Sequence, residues 1–139
     1  MKIVPHPHAT TSILILDDDR FFTDYIKSVI HTMYPFLHIV TSNNEKDFLA
    51  NLNHNPSIVL IDYNLGVENK VTKYAHSIIN HLQETNPSLP LVLISSQSRE
   101  GILEEYKQFR NIDYLIKNKD LKNTIKHTIA KFLTSPNIC

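Results

Sequence analysis

Short, uninterrupted runs of Ile, Val and Leu alternate along the chain with longer stretches in which apolar residues recur every three or four positions. The runs predict strands buried on both faces, and the spaced stretches predict amphipathic helices. Because each helix must lay its apolar face back on the sheet, the alternation predicts a doubly wound α/β domain with a five-stranded parallel sheet and helices on both faces. The strand candidates are residues 13–16, 37–40, 58–61, 91–94 and 114–116.

Five amphipathic stretches lie between and after the predicted strands. Ser42 and Glu45 have the spacing of a capping box, which predicts that the second helix begins beside this pair. Pro87 and Pro90 predict a loop before the fourth strand. The first apolar residues of the five stripes are Phe22, Phe48, Val71, Ile102 and Leu121.

The size and charge of the chain limit its function. With 139 residues it is long enough for one domain with a buried core, which we assign to residues 12–133. Residues 1–11 and 134–139 are predicted to be flexible tails. Fourteen basic side chains balance fourteen acidic ones, so the net charge is zero and no direct binding of nucleic acid is expected.

Cysteine content and hydropathy predict the compartment. Cys139 is the single cysteine, so no disulfide forms within the chain and a reducing environment is expected. No apolar run reaches the ~18 residues of a membrane span, and the N-terminal segment is too polar for the core of a signal peptide. These features predict a cytoplasmic protein that does not bind membranes.

Polar side chains follow four predicted strands at the edge where parallel strands end. Three aspartates, residues 17–19, follow the first strand, and Asp62 ends the third. The fourth strand ends in Ser95, and Lys117 follows the fifth. In a doubly wound sheet, ligands bind beyond this edge, and a hard cation such as Mg²⁺ relieves the repulsion between clustered carboxylates. Each residue alone also has a structural explanation as a cap, strand end or solvated charge, but their agreement favours a site.

Four segments resemble the receiver domain of bacterial two-component response regulators. They occur in the order typical of that family and are 13–20 (ILILDDDR), 58–65 (IVLIDYNL), 89–96 (LPLVLISS) and 113–117 (DYLIK). The resemblance implies a flavodoxin-like fold with strand order 2-1-3-4-5. It also implies a phosphoacceptor signalling domain, which is not an enzyme apart from catalysing its own phosphorylation and dephosphorylation.

The resemblance also implies a role for each residue of the predicted site. Asp62 would accept a phosphoryl group, and Lys117 would contact that group. Asp17 and Asp18 would hold Mg²⁺ together with Asp62 and the backbone carbonyl of Asn64. The phosphoryl donor would be the phosphohistidine of a histidine kinase or histidine phosphotransfer protein, or a small acyl phosphate.

A switch and a partner surface follow from the same resemblance. Ser95 takes the place of the family's switch hydroxyl, and Tyr114 takes the place of the aromatic residue whose rotamer reports the state. Phosphorylation is expected to draw Ser95 towards the phosphoryl oxygens and to let Tyr114 turn inward. This movement would change a surface formed by the fourth predicted helix, the last strand and the last helix, where a downstream protein would bind.

Several positions beside the predicted site differ from the family pattern. Gly66 stands where receivers usually carry proline, and Lys70 stands where they carry glycine. Asn118 follows the lysine in place of proline, so a trans peptide bond or a shifted loop is expected. Asp19 lies beside the acid pair and is expected to cap the first helix rather than bind the metal.

Other functions remain open from the sequence. A pseudo-receiver would bind partners without being phosphorylated; the loop at residues 64–70 favours this weakly, and the complete set of site residues argues against it. A Mg²⁺-dependent phosphohydrolase would use Asp17 as nucleophile and Asp19 as second acid, but the chain has no room for a cap domain. A receiver fragment of a larger regulator or hybrid kinase is also compatible with the sequence. The kinase, output, phosphoryl lifetime and oligomeric state are not predicted.

Overall fold

A computed structural model of the chain describes residues 11–63, 70–96 and 111–133, with the backbone alone at residues 70–76. Strands and helices alternate within these ranges. The strands are β1 (Ser12–Leu16), β2 (His38–Ser42), β3 (Ile58–Asp62), β4 (Leu91–Ser95) and β5 (Ile112–Ile116). The helices are α1 (Arg20–Met33), α2 (Glu45–Asn51), α3 (Lys70–Thr85) and α4 (Leu121–Leu133). A 3-10 turn (Leu52–His54) follows α2.

The five strands form one parallel sheet in the order β2-β1-β3-β4-β5. This order confirms the prediction of a doubly wound sheet. Each predicted strand overlaps an observed strand, and no predicted strand end differs from the observed end by more than two residues. Because β1 lies between β2 and β3, the strand order reverses beside β1, and the ends of β1 and β3 form the crevice in which such sheets bind ligands.

Helices cover both faces of the sheet. The central strands β3 and β4 are buried at every position, as expected for strands that have helices on both sides. One core cluster packs between the sheet and helices α2 and α3, and it contains Leu14, Phe48 and Ile78. The other packs between the sheet and helices α1 and α4, and it contains Ile13, Ile26 and Ile125. These clusters fix the strand ends that carry the polar residues.

The first helix begins as the sequence predicts, whereas the second does not. Asp19 is the N-cap of α1, and its Oδ1 accepts hydrogen bonds from the backbone N–H groups of Phe21 and Phe22 at 2.9 and 3.3 Å. The capping box predicted at Ser42 is wrong, because β2 continues through Ser42 and Asn44 caps α2 instead. Asn44 Oδ1 accepts a hydrogen bond from the backbone N–H of Asp47 at 2.8 Å.

Several sequence predictions lie outside the described residues. They include Asn64, the loop around Gly66, the fourth predicted helix at residues 102–109, and nearly all of both predicted tails. The third helix begins at Lys70, and the described residues contain no cis peptide bond, so the bond before Asn118 is trans as expected. Within the described ranges, no helix combines the length and the apolar character needed to cross a bilayer.

Candidate functional site

Two buried carboxylates lie at the carboxyl edge of the sheet. Asp17 directly follows β1 and Asp62 ends β3, and their exposed fractions are 1% and 2%. Leu16, which precedes Asp17, pairs with Ile61, which precedes Asp62, so the end of β1 lies beside the end of β3. The prediction that these strand ends converge is therefore confirmed.

The loop after β1 is held by hydrogen bonds that orient Asp17. Its backbone N–H donates to the carbonyl of Ser42 at 3.1 Å, and its carbonyl accepts from Asn43 Nδ2 at 2.7 Å. Its carboxylate Oδ1 accepts from the backbone N–H of Asp19 at 2.8 Å. The Asp17 carboxylate is therefore turned towards the crevice by the end of β2 and by the start of α1.

Lys117 joins the two carboxylates. Its Nζ lies 2.8 Å from Asp62 Oδ1 and 3.3 Å from Asp17 Oδ2. Its backbone N–H donates to the carbonyl of Ser95 at 2.8 Å, which ties the residue after β5 to the end of β4. The side chain thus reaches from β5 past the end of β4 to β3 and β1. The ammonium also lies over the ring of Phe22, 4.1 Å from its centroid.

Burial changes the pKa of each charged group in this cluster. Burial, and then the negative charge of Asp62, raise the pKa of Asp17 to about 7. Burial also raises the pKa of Asp62, although the hydrogen bond and the charge of Lys117 oppose that rise. Burial lowers the pKa of the Lys117 ammonium, but its pairing with Asp62 and Asp17 outweighs burial and leaves that pKa above its usual value. The two carboxylates together therefore need more positive charge than one ammonium supplies.

A third carboxylate completes a set of oxygen donors that suits a divalent cation. One carboxylate oxygen each from Asp17, Asp18 and Asp62 lie within 4.8 Å of one another, and Asp18 is exposed. Hard divalent cations such as Mg²⁺ bind carboxylate oxygens and keep several waters, which the exposed side of this set admits. Burial, and then the charges of neighbouring carboxylates, raise the pKa values of Asp17 and Asp62, and the positive charge of such a cation would oppose both effects. The donor set therefore fits the predicted metal.

Ser95 and Tyr114 lie together beside this cluster. Ser95 ends β4 and is fully buried, and Tyr114, in β5, is 4% exposed. Burial raises the pKa of Tyr114, and a side-chain hydrogen bond with Ser95 partly offsets that rise. Tyr114 packs in the core cluster beneath α2 and α3, so its side chain is already turned inward in this structure.

The structure brings together six residues that the sequence singled out: Asp17, Asp18, Asp62, Ser95, Tyr114 and Lys117. Asn64 lies outside the described residues. Sequence reasoning missed two residues of the site. Phe22 was assigned only to the apolar stripe of α1. Its place in the first helical turn after the three aspartates is the signal that could have identified it. Asn43 was not singled out, and no pattern in the sequence marks its contact with the carbonyl of Asp17.

Comparison with solved structures gives one consistent result. A response regulator from Thermotoga maritima is similar with a TM-score of 0.71 at 14% identity, over 90% of this chain and 98% of that one. A CheY-like response regulator receiver domain protein from Methanospirillum hungatei is similar with a TM-score of 0.66 at 15% identity, over 88% and 93% of the two chains. This chain has the receiver-domain fold. No family model and no curated protein match the sequence.

A metal-bound solved structure is also similar to this chain. The Mn²⁺-bound form of the response regulator Rcp1 is similar with a TM-score of 0.69 at 16% identity, over 90% of this chain and 96% of that one. Similarity at such identities concerns the fold, and the chemistry has to be argued from the residues of this chain. The carboxylates of Asp17, Asp18 and Asp62 at the carboxyl edge of this fold are close enough together to hold a metal ion.

Proposed function

We propose that the chain is a response regulator receiver domain that accepts a phosphoryl group on Asp62 in a Mg²⁺-dependent reaction. The donor is the phosphohistidine of a histidine kinase or of a histidine phosphotransfer protein. The observation that carries the proposal is the position of the Asp62 carboxylate, which lies within 4.8 Å of the carboxylates of Asp17 and Asp18 and 2.8 Å from the ammonium of Lys117. The receiver-domain fold supports it, because the neighbours with this fold are response regulators.

The residues of the chain have separate roles in the transfer. An oxygen of Asp62 attacks phosphorus and forms an O–P bond while the P–N bond to the donor imidazole breaks. The electron pair of that bond stays on the imidazole nitrogen, which takes a proton from solvent. Lys117 favours the ionised form of Asp62 before transfer and pairs with a phosphoryl oxygen after it.

A metal would supply the remaining positive charge. Asp17, Asp18 and Asp62, with the backbone carbonyl of Asn64 as a further proposed ligand, would hold Mg²⁺, and the bound cation would neutralise charge on the phosphoryl oxygens. The Mn²⁺-bound form of Rcp1 supports a divalent cation in a protein of this fold. In this chain Asp17 has to lose its proton to become a ligand, so metal binding and deprotonation of Asp17 are linked.

Ser95 and Tyr114 provide the route from phosphorylation to a partner. The new phosphoryl group brings about 1.5 to 2 negative charges and three acceptor oxygens beside the Ser95 hydroxyl. We expect these oxygens to draw Ser95 away from its hydrogen bond with Tyr114. The side chain of Tyr114 then repacks, and the surface of β5, α4 and the fourth predicted helix at residues 102–109 changes for a downstream protein. A cytoplasmic location is part of the same proposal.

Intact mass spectrometry tests the proposal. The protein is incubated with acetyl phosphate and Mg²⁺, and the expected product carries one added phosphoryl mass. Asp62→Asn and a sample containing EDTA should show no product. Asp113→Asn is the matched control, because Asp113 also pairs with a lysine, at 2.7 Å from Lys131, away from the acid cluster. This variant should be phosphorylated like the unaltered protein.

The position of the label separates the proposal from its alternatives. Borohydride reduction of the acyl phosphate followed by peptide mapping should mark Asp62. A label on Asp17 would instead favour the phosphohydrolase, whose nucleophile follows the first strand. A folded protein that takes up no phosphoryl group beside an active receiver control would favour the pseudo-receiver.

A further inference from the structure

Phe22 lies at the rim of the acid cluster in the first turn of α1. Its backbone N–H donates to the capping carboxylate of Asp19, which fixes that turn. Its ring is partly buried against the core cluster between the sheet and helices α1 and α4. The ring is therefore held by the cap on one side and by the core on the other, with one face left beside the strand ends.

The ammonium of Lys117 occupies that face. It lies 4.1 Å from the ring centroid of Phe22, and it also contacts Asp62 and Asp17 at 2.8 and 3.3 Å. Its side chain is only 22% exposed. A long lysine side chain loses much rotamer freedom when it is held in one place, so each contact at its end contributes to keeping it there.

We propose that Phe22 is a positioning residue that holds the Lys117 ammonium against Asp62 and Asp17 through a cation–π interaction. An ammonium over an aromatic face gains more when it is partly removed from water, as Lys117 is here. The ammonium held by Phe22 pairs with two of the three carboxylates that a divalent cation would bind, those of Asp17 and Asp62. Phe22 thereby sets how strongly Lys117 competes with that cation. This part of the inference rests on the metal site of the proposed function.

The chain contains a natural control for this interaction. Phe132 is also partly buried against the core cluster of α1 and α4, and Lys131 lies 5.0 Å from its ring centroid. Lys131 likewise pairs with one carboxylate, that of Asp113. Replacing either phenylalanine with leucine therefore removes a partly buried ring and a lysine contact, but only one of the two changes concerns the acid cluster.

Nuclear magnetic resonance of the metal-free protein tests the contact directly. Protons above an aromatic face are shifted upfield, so the Lys117 side-chain resonances, assigned with Lys117→Arg, should be shifted from those of other lysines. Phe22→Leu should abolish that shift, whereas Phe22→Tyr and Phe132→Leu should keep it. A role in packing alone predicts no such dependence on an aromatic ring.

Calorimetric titration with Mg²⁺ tests the competition. Phe22→Leu should bind Mg²⁺ about two- to fivefold more tightly than the unaltered protein, as loss of one cation–π contact predicts. Phe22→Tyr and Phe132→Leu should bind with unchanged affinity. Circular dichroism confirms that each variant is folded before it is compared.

Two results would overturn the inference. One is a Lys117 resonance that is the same in Phe22→Leu and in the unaltered protein. The other is a measurable Mg²⁺ affinity that Phe22→Leu leaves unchanged, or that Phe132→Leu alters equally. If the unaltered protein binds no Mg²⁺, the metal site of the proposed function fails, and the resonance comparison alone decides the role of Phe22.

Discussion

The substitution Asp17→Asn should remove a pH-dependent loss of stability from the metal-free protein. The pKa of Asp17 rises from 3.8 to about 7 in the folded protein, mainly through burial and the charge of Asp62. Between these two pH values the folded carboxyl keeps its proton while the unfolded one has lost it. Stability from this group is therefore fully present below pH ~4 and is lost as the pH rises to 7. At ~1.4 kcal/mol per pH unit, the loss is about 4 kcal/mol.

Asparagine has nearly the shape of the protonated aspartic acid and does not titrate in this range. Its side-chain carbonyl also keeps an acceptor for the backbone N–H of Asp19, which Asp17 now binds at 2.8 Å. We expect Asp17→Asn to match the unaltered protein near pH 4.5 and to be about 2 to 4 kcal/mol more stable at pH 8 in EDTA. Urea unfolding followed by circular dichroism at several pH values measures this difference.

A cation should reverse the effect in the unaltered protein only. Mg²⁺ binds the ionised carboxylate, so it should stabilise the unaltered protein more at pH 8 than at pH 6, and it should stabilise Asp17→Asn much less. Asp113→Asn, which removes a carboxylate paired with Lys131 outside the cluster, serves as the control and should leave the pH dependence unchanged. Parallel stability profiles for Asp17→Asn and the unaltered protein in EDTA would refute the reasoning.

Three further substitutions test single interactions by urea unfolding at pH 7. Asp19→Ala removes the cap of α1 and should cost about 1 kcal/mol while leaving the Mg²⁺ affinity within about twofold; a large loss of affinity would make Asp19 a ligand. Phe48→Ala removes a fully buried ring that α2 packs against the sheet and should cost about 3 to 5 kcal/mol, and a loss below 1 kcal/mol would contradict that packing. Ser95→Ala removes the hydrogen bond to Tyr114 and should cost about 1 kcal/mol with a changed tyrosine signal in near-ultraviolet circular dichroism; an unchanged signal would argue against the contact.

Helix starts show where local sequence is a sufficient guide and where it is not. Asp19 was predicted to cap α1 because aspartate is a common N-cap residue, and the structure confirms this. Ser42 has equally good local chemistry, but pairing with β1 keeps it in the sheet, and its hydroxyl accepts a hydrogen bond from Asn51 at 3.0 Å. The cap passes to Asn44, because sheet pairing is a tertiary interaction that outweighs a local preference.

The amino-acid sequence by itself determined the fold class, the approximate strands and the residues that stand at the strand ends, because periodicity and composition are local properties of the chain. It also indicated which strand ends meet, since parallel strands end at one edge. Only the tertiary structure decided that Lys117 lies between Asp62 and Asp17 and over the ring of Phe22. Those contacts join residues far apart in the chain, and their energies depend on burial, which no local pattern specifies. The raised pKa of Asp17 follows from that burial, and with it the predicted dependence of stability on pH.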